Sequence, residues 1–220
     1  MKVWLVIAAY NEARFISEVV KVVRPRVAGV IVVDDCSEDE TAKLASEAGA
    51  VVLAHIINRG QGAALRTGTE AAIERGADVI VHFDGDGQFL AEEIARVVEP
   101  ICKDEADVVL GSRFLDKASN LPWSKKYLLH PVARLLNRSV WGINFSDPQC
   151  GFRAFSVEVA RSLKWRQDRM AHASEILALL TVGKWRVKEV PVTVIYHDYG
   201  QGLLGGFKII KELFIKYLSR

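Results

Sequence analysis

The sequence predicts a single α/β domain in which a Rossmann-like, mostly parallel sheet is flanked by helices, and three features lead there. Short β-branched runs recur through the first half of the chain, each followed by a longer segment with helical spacing. The runs are apolar along their length instead of alternating, as strands covered on both faces are. Acidic and amide residues stand directly behind the runs, where open parallel sheets gather their ligands.

The first run, residues 3–8, passes at once into Tyr10-Asn11-Glu12, so it reads as a buried first strand and not as a leader peptide. A helical segment near residues 12–23 leads to the second run at 29–34, and one near 40–48 to the third at 50–54. Helices near 62–75 and 91–102 precede the fourth and fifth runs, at 79–83 and 108–110. Repeated βα order of this kind predicts parallel strands joined by right-handed crossovers. The second half departs from it, with a basic and aromatic loop at 116–127, an apolar helix near 128–140, residues 147–153 opening an extended segment, a helix near 171–182 and an extended run at 187–196. No linker, repeat or low-complexity tract divides the halves, so both are read as one domain.

Composition narrows the function. At 220 residues, half of them hydrophobic and a quarter charged, the chain has material for a substantial core. A formal charge of +2, without basic runs interleaved with aromatics, argues against a nucleic-acid partner. Cys36, Cys102 and Cys150 are odd in number and form no CxxC pair, which argues against a disulfide framework or a zinc site and for a reducing, cytoplasmic setting. No apolar stretch reaches the roughly 18–20 residues of a membrane span, so peripheral contact is the membrane association left open.

Asp84-Gly85-Asp86 leaves the fourth run as a pair of hard oxygen donors, suited to Mg²⁺ or Mn²⁺ with phosphate oxygens as further ligands; Gln88 could add a neutral contact. The competing reading is a β-turn with solvated aspartates. Asp34-Asp35-Cys36-Ser37 ends the second run: Asp34 could accept hydrogen bonds from a base or ribose, while Ser37 or Asp39 caps the next helix. Asn58-Arg59-Gly60-Gln61-Gly62 puts small residues at a helix start, either for approach of a phosphate or for close packing on the sheet; it matches neither GxxxxGK nor GxGxxG. Arg113 follows the fifth run, where a guanidinium suits phosphate oxygens, and a surface ion pair is its ordinary alternative. A phosphoacceptor receiver domain also carries acidic strand ends, but it would finish near residue 125 and leave the rest unexplained.

Taken in order, Ala9-Tyr10-Asn11-Glu12, Val33-Asp34-Asp35-Cys36-Ser37, Asn58-Arg59-Gly60-Gln61-Gly62, Asp84-Gly85-Asp86-Gly87-Gln88, Gly111-Ser112-Arg113-Phe114 and Gln149-Cys150-Gly151-Phe152-Arg153 resemble family 2 glycosyltransferases, and within them the dolichol-phosphate or polyprenyl-phosphate mannose and glucose synthases. The resemblance implies a GT-A fold and an inverting, metal-dependent transfer of a hexose from a GDP- or UDP-sugar to polyprenyl phosphate. It implies a cation at Asp84, Asp86 and Gln88. The donor pocket would draw on Ala9, Tyr10, Glu12, Asp34, Asp35, Gly62, Asp84, Gly85 and Asp86. Arg113, Lys125 and Lys126 would hold the acceptor phosphate, the two lysines standing where relatives often have arginine. A hydroxyl acceptor on a saccharide or protein is the alternative; it would need a general base, for which Asp147 and Glu175 are the candidates. A non-catalytic nucleotide-sugar binding module is the alternative from another class. His172 and His197 could approach the metal, but a structural hydrogen bond is the preferred reading for each.

Relatives of that kind often carry membrane spans near the C-terminus. Here Leu203, Phe207, Ile210, Phe214 and Tyr217 form a helical stripe with Lys208, Lys211 and Lys216 around it. Residues 1–200 are therefore expected to form the catalytic domain and residues 201–220 an amphipathic helix that docks on a membrane surface, the core or a second subunit.

Overall fold

The computed structural model describes residues 1–115 and 145–195. Seven strands, β1 (Val3–Ala9), β2 (Gly29–Asp34), β3 (Val51–Ala54), β4 (Val79–Asp84), β5 (Val108–Ser112), β6 (Arg153–Ser156) and β7 (Val187–Pro191), form one sheet in the order β3-β2-β1-β4-β6-β5-β7. All neighbours run parallel except β6, which is antiparallel to both β4 and β5. The described helices are α1 (Ile16–Val23), α2 (Thr41–Glu47), α3 (Gln61–Glu74), α4 (Ile94–Cys102), α5 (Val157–Ser162) and α6 (His172–Val182).

The continuous apolar runs have their explanation in two cores. Leu5, Ile7, Val30, Val32 and Phe83 point to one face, under Ile16 and Val19 of α1, Ala45 of α2 and Ile94 and Val97 of α4. Val6, Ile31, Val33 and Ile80 point to the other, under Ala64, Leu65 and Ala72 of α3, Val159 of α5 and Ile176 and Leu177 of α6. Each fully buried Val, Leu, Ile or Phe among them contributes about 1.5–3 kcal/mol. The small residues of α3 let it lie close: a Cβ on Gly68 would stand 2.3 Å from Val6 Cγ1.

Two topological details place the ligand edge. The helices that follow β1 and β2 lie on one face and α3, which carries the chain from β3 to β4, lies on the other, so a crevice opens beyond the ends of β1 and β4. Because β6 runs the opposite way, its first residue, Arg153, lies level with the ends of β4 and β5, opposite His82 and Leu110. Residues 145–152 are thereby delivered to the same edge.

The five runs of the first half agree with β1–β5 to within two residues, whereas the extended run at 187–196 forms a strand only over Val187–Pro191 among the described residues. Helix α1 starts later than expected because residues 12–15 form a turn, with Phe15 and Ile16 N–H both donating to Glu12 O at 2.9 Å. The antiparallel setting of β6 and the helix α5 had no counterpart in the βα reading. No helix among the described residues is long and apolar enough to cross a membrane. The loop at 116–127, the helix near 128–140, Lys125, Lys126, His197 and the 201–220 helix lie outside the described residues.

Candidate functional site

Beyond β1 the chain turns through Asn11 at φ +56°, a left-handed conformation that asparagine tolerates better than most residues. Asn11 N–H donates to Ser37 Oγ at 2.9 Å and its Oδ1 accepts from Glu38 N–H at 2.8 Å. Glu12 N–H donates to Thr41 Oγ1 at 2.8 Å and Ala13 N–H to Asp39 Oδ2 at 3.1 Å. The loops after β1 and β2 are thus laced into one wall, with Ala9 buried beneath it and the Tyr10 side chain half exposed at its open edge.

The adjacent acids at the end of β2, Asp34 within it and Asp35 just after it, do different things. Asp34 is buried and accepts both the Ser37 hydroxyl and, at 3.2 Å, the Ser37 N–H. Asp35 turns toward the loop after β3: it accepts His55 Nδ1 at 2.7 Å, Arg59 N–H at 2.9 Å and Gly60 N–H at 2.6 Å. His55 Nε2 reaches Thr67 Oγ1 of α3 at 3.0 Å, completing the clasp. Asp39 accepts Thr41 N–H at 3.0 Å from one residue ahead of the N-cap of α2, which is Glu40 and not Ser37 or Asp39 as expected. The glycines at the start of α3 meet protein: a Cβ on Gly62 would lie 2.3 Å from Gln167 O and 2.7 Å from His172 Cβ. Trp165 Nε1 donates to Gly62 O at 2.9 Å. Residues 165–169 therefore roof the first turn of α3, and of the two sequence readings of this motif, close packing describes Gly62 and Gly68.

At the end of β4, Asp84 is partly buried, with Gln61 Nε2 donating to its Oδ1 at 3.3 Å. Its carboxylate rests on the backbone of Gly151, where a Cβ would stand 2.6 Å and 2.7 Å from the two oxygens. Gly85 is buried, and Asp86 Oδ1 accepts Gln88 N–H at 3.1 Å, so the second acid and Gln88 share one turn. Phe83, Phe89 and Phe152 support it from below, with ring centroids 5.0–5.6 Å apart. Burial, and then the charge of Asp86, push the Asp84 carboxyl up to about 7 against the pull of Arg153 and Arg113. Burial followed by Asp86 and Asp39 pushes Glu12 up to about 6. Three carboxylates, Glu12 from the turn after β1 and Asp84 and Asp86 at and beyond the end of β4, thus crowd one another.

A divalent cation fits this donor set: it would relieve the crowding, and two carboxylates with an amide leave most of a six-oxygen shell for phosphate and water. Among the described residues no cluster of three or more His, Cys, Asp or Glu forms a complete metal cage. A site finished by its substrate needs none.

The crowding has a pH signature. Folded Asp84 and Glu12 hold their protons more tightly than free side chains, whose values are 3.8 and 4.5. The stability this contributes is complete below those values and is lost as pH rises through about 6 and about 7. Metal-free Asp84→Asn is therefore expected to match the unmodified chain at about pH 4 and to melt at a higher temperature at about pH 7.5. Thermal unfolding in chelator at both pH values checks this; equal midpoints at the higher pH would count against the crowding.

Behind β5, Arg113 is clamped by Asp147, whose side chain is fully buried: Nε–Oδ2 is 2.6 Å, Nη2–Oδ1 is 2.7 Å and the Arg113 N–H reaches Oδ2 at 3.1 Å. Alongside, Glu189 of β7 accepts Ser146 N–H and hydroxyl at 2.7 and 2.6 Å, and the Ser146 and Ser112 hydroxyls are 2.6 Å apart. Glu175, on α6, accepts Arg166 and Gln167 N–H at 3.0 and 2.7 Å and so fixes the roof over α3. His172 bonds Arg169 O at 2.9 Å and is held down to about 4, first by burial and then by Arg153. It is a neutral structural group, as expected. The sequence reading did not single out Gly151 as the seat of Asp84, Asp35 as the clasp, or buried His82, which bonds Thr69 Oγ1 at 2.9 Å. The only hint of the first was a glycine inside the 149–153 motif.

Parallel strands broken by one antiparallel strand, with an acidic strand end and an arginine facing the same crevice, define a GT-A fold. A crystal structure of glucosyl-3-phosphoglycerate synthase from Mycobacterium tuberculosis superposes with a TM-score of 0.74 over 96% of this chain and 79% of that one, at 21% identity. The profile described as Glycosyl transferase family 2 matches residues 4–164, and the chain belongs to that family. It is 32% identical to UDP-N-acetylglucosamine–dolichyl-phosphate N-acetylglucosaminyltransferase of Methanococcus voltae, over 99% of this chain and 97% of that protein. It is 30% identical to undecaprenyl-phosphate mannosyltransferase of Micrococcus luteus, over 94% of this chain and 88% of that protein.

Proposed function

We propose that the chain is an inverting glycosyltransferase that moves a hexose from a GDP- or UDP-sugar to polyprenyl phosphate at a membrane surface, with Mg²⁺ or Mn²⁺ held by Asp84, Asp86 and Gln88. The observation that carries this is the placing of Asp84 and Asp86 behind β4 and of Arg113 behind β5 on one sheet edge. Relatives named for transfer to dolichyl and undecaprenyl phosphate, matched over nearly the whole chain, support the acceptor.

Tyr10, Glu12 and Asp34 would border the donor nucleotide, on the wall that Asp35 holds in place. Asp84, Asp86 and Gln88 would hold the cation, whose positive charge would stabilise the departing nucleoside diphosphate. Arg113, aimed by the bidentate grip of Asp147, would bring its guanidinium charge to the acceptor phosphate. One acceptor oxygen then forms the new bond to the anomeric carbon as the bond to the nucleoside diphosphate breaks on the opposite face. A phosphate is already anionic at neutral pH and needs no strong base. Asp147 is committed to Arg113 and Glu175 to the 166–167 backbone, which favours such an acceptor over a hydroxyl.

Turnover with labelled GDP- and UDP-hexoses and UDP-N-acetylglucosamine, a short polyprenyl phosphate and Mn²⁺ or chelator tests the proposal. Label is expected in the lipid, with metal only and from one of the donors. Label released to a saccharide or protein hydroxyl and none in lipid would overturn the acceptor.

A further inference from the structure

The turn at residues 147–152 lies between the two charge centres and is tied down from behind by one buried side chain. Arg153 is 3% exposed. Its Nε donates to Cys150 O at 2.8 Å and its Nη2 to Pro148 O at 3.2 Å, so a single rigid fork fixes two carbonyls of the turn. The turn in turn makes one contact on each side. Gly151 seats the Asp84 carboxylate, with room for no side-chain atom between them. Asp147 grips Arg113 through two side-chain bonds and one backbone bond. Neighbouring bonds hold the same register: Gly111 N–H donates to Phe152 O at 2.9 Å, and a Cβ on Gly111 would lie 2.9 Å from that oxygen.

A buried guanidinium bonded to neutral carbonyls is a costly way to fill space, since an apolar side chain of similar size avoids the desolvation. Packing therefore does not account for an arginine here; its charge offsets those of Asp84 and Asp147, and its two bonds to the Cys150 and Pro148 carbonyls fix the turn beside them. We infer that Arg153 is a positioning residue that fixes the 147–152 turn and thereby sets Asp84 on the donor side and Arg113 on the acceptor side as one unit. The inference rests on the donor and acceptor assignment proposed above and adds that the two halves of the site share a common support. Displacing the turn by a fraction of an ångström moves both, and misplacement near 1 Å costs on the order of 100-fold in such sites.

The test uses the full chain and reads binding as well as turnover. Mn²⁺ bound in the presence of GDP or UDP is measured by electron paramagnetic resonance, and the acceptor KM with a short polyprenyl phosphate. Arg153→Met is expected to weaken Mn²⁺–nucleotide binding and to raise the acceptor KM, each by roughly tenfold or more. Arg153→Lys, which can still reach one carbonyl, should recover part of both. Gly151→Ala meets Asp84 first, on the donor side, yet it should also raise the acceptor KM, and its effect should combine with that of Asp147→Asn less than additively. This pair decides the matter where Arg153→Met does not fold. A Gly151→Ala chain with weakened Mn²⁺–nucleotide binding and an unchanged acceptor KM would overturn the inference, as would a folded Arg153→Met chain with both quantities unchanged. Failure of the unmodified chain to bind Mn²⁺ with either nucleotide would instead overturn the donor reading, and the inference with it.

Discussion

Asp86→Ala is expected to lower transfer by on the order of 10²–10³-fold while leaving the metal-free chain as stable as before, or more so. The two effects have opposite signs for one reason. Asp86 raises the proton affinity of both Asp84 and Glu12, so its charge is a burden to the empty site and an asset once a cation arrives. Asp86→Asn separates this from simple turn formation, because an asparagine side-chain oxygen can still accept the Gln88 N–H that Asp86 accepts at 3.1 Å. Label transfer at saturating Mn²⁺, beside thermal unfolding in chelator, provides the measurement. Full activity in Asp86→Asn would return this residue to the turn reading that the sequence left open.

Asp147→Ala should cost about 3–5 kcal/mol of folding stability, because it strips a largely buried guanidinium of a bidentate partner. In a chain of this size each kcal/mol lowers the midpoint by roughly 2–4 °C, so a drop on the order of 10 °C is expected in a thermal melt. The same substitution separates the two roles open to Asp147. A general base replaced by asparagine would lose turnover with little change in KM. A residue that aims Arg113 should chiefly raise the acceptor KM, since Arg113 keeps its charge and loses its direction. Steady-state kinetics of Asp147→Asn, varying the lipid phosphate, discriminates between them.

Much of the fold was legible because its strands are buried on both faces. Such strands are apolar at most positions, and runs such as 29–34 and 79–83 therefore stand out from the polar segments around them. The acidic pair after β4 was legible for a related reason: a strand that ends in Asp-Gly-Asp has few uses at a ligand edge. Neighbouring residues of one type were harder to separate. Asp34 and Asp35 look alike in sequence, and their fates diverge because alternate residues of a strand point to opposite faces. One therefore meets Ser37 and the other the loop after β3. Gly60 and Gly62 resemble a phosphate loop, yet the chain that fills the space beside them comes from residues 165–169, about 100 positions later.

The sequence by itself determined the layered α/β architecture, the edge on which polar groups gather and the family to which the chain belongs, since each depends on local periodicity or on motifs contiguous in the chain. Tertiary structure alone decided which of those groups meet. Strand β6 enters antiparallel between β4 and β5, and this brings Gly151 against Asp84 and Asp147 against Arg113. Strand direction inside a sheet is set by pairing between segments some 70 residues apart, and a strand of only four residues carries no periodicity that tells one direction from the other.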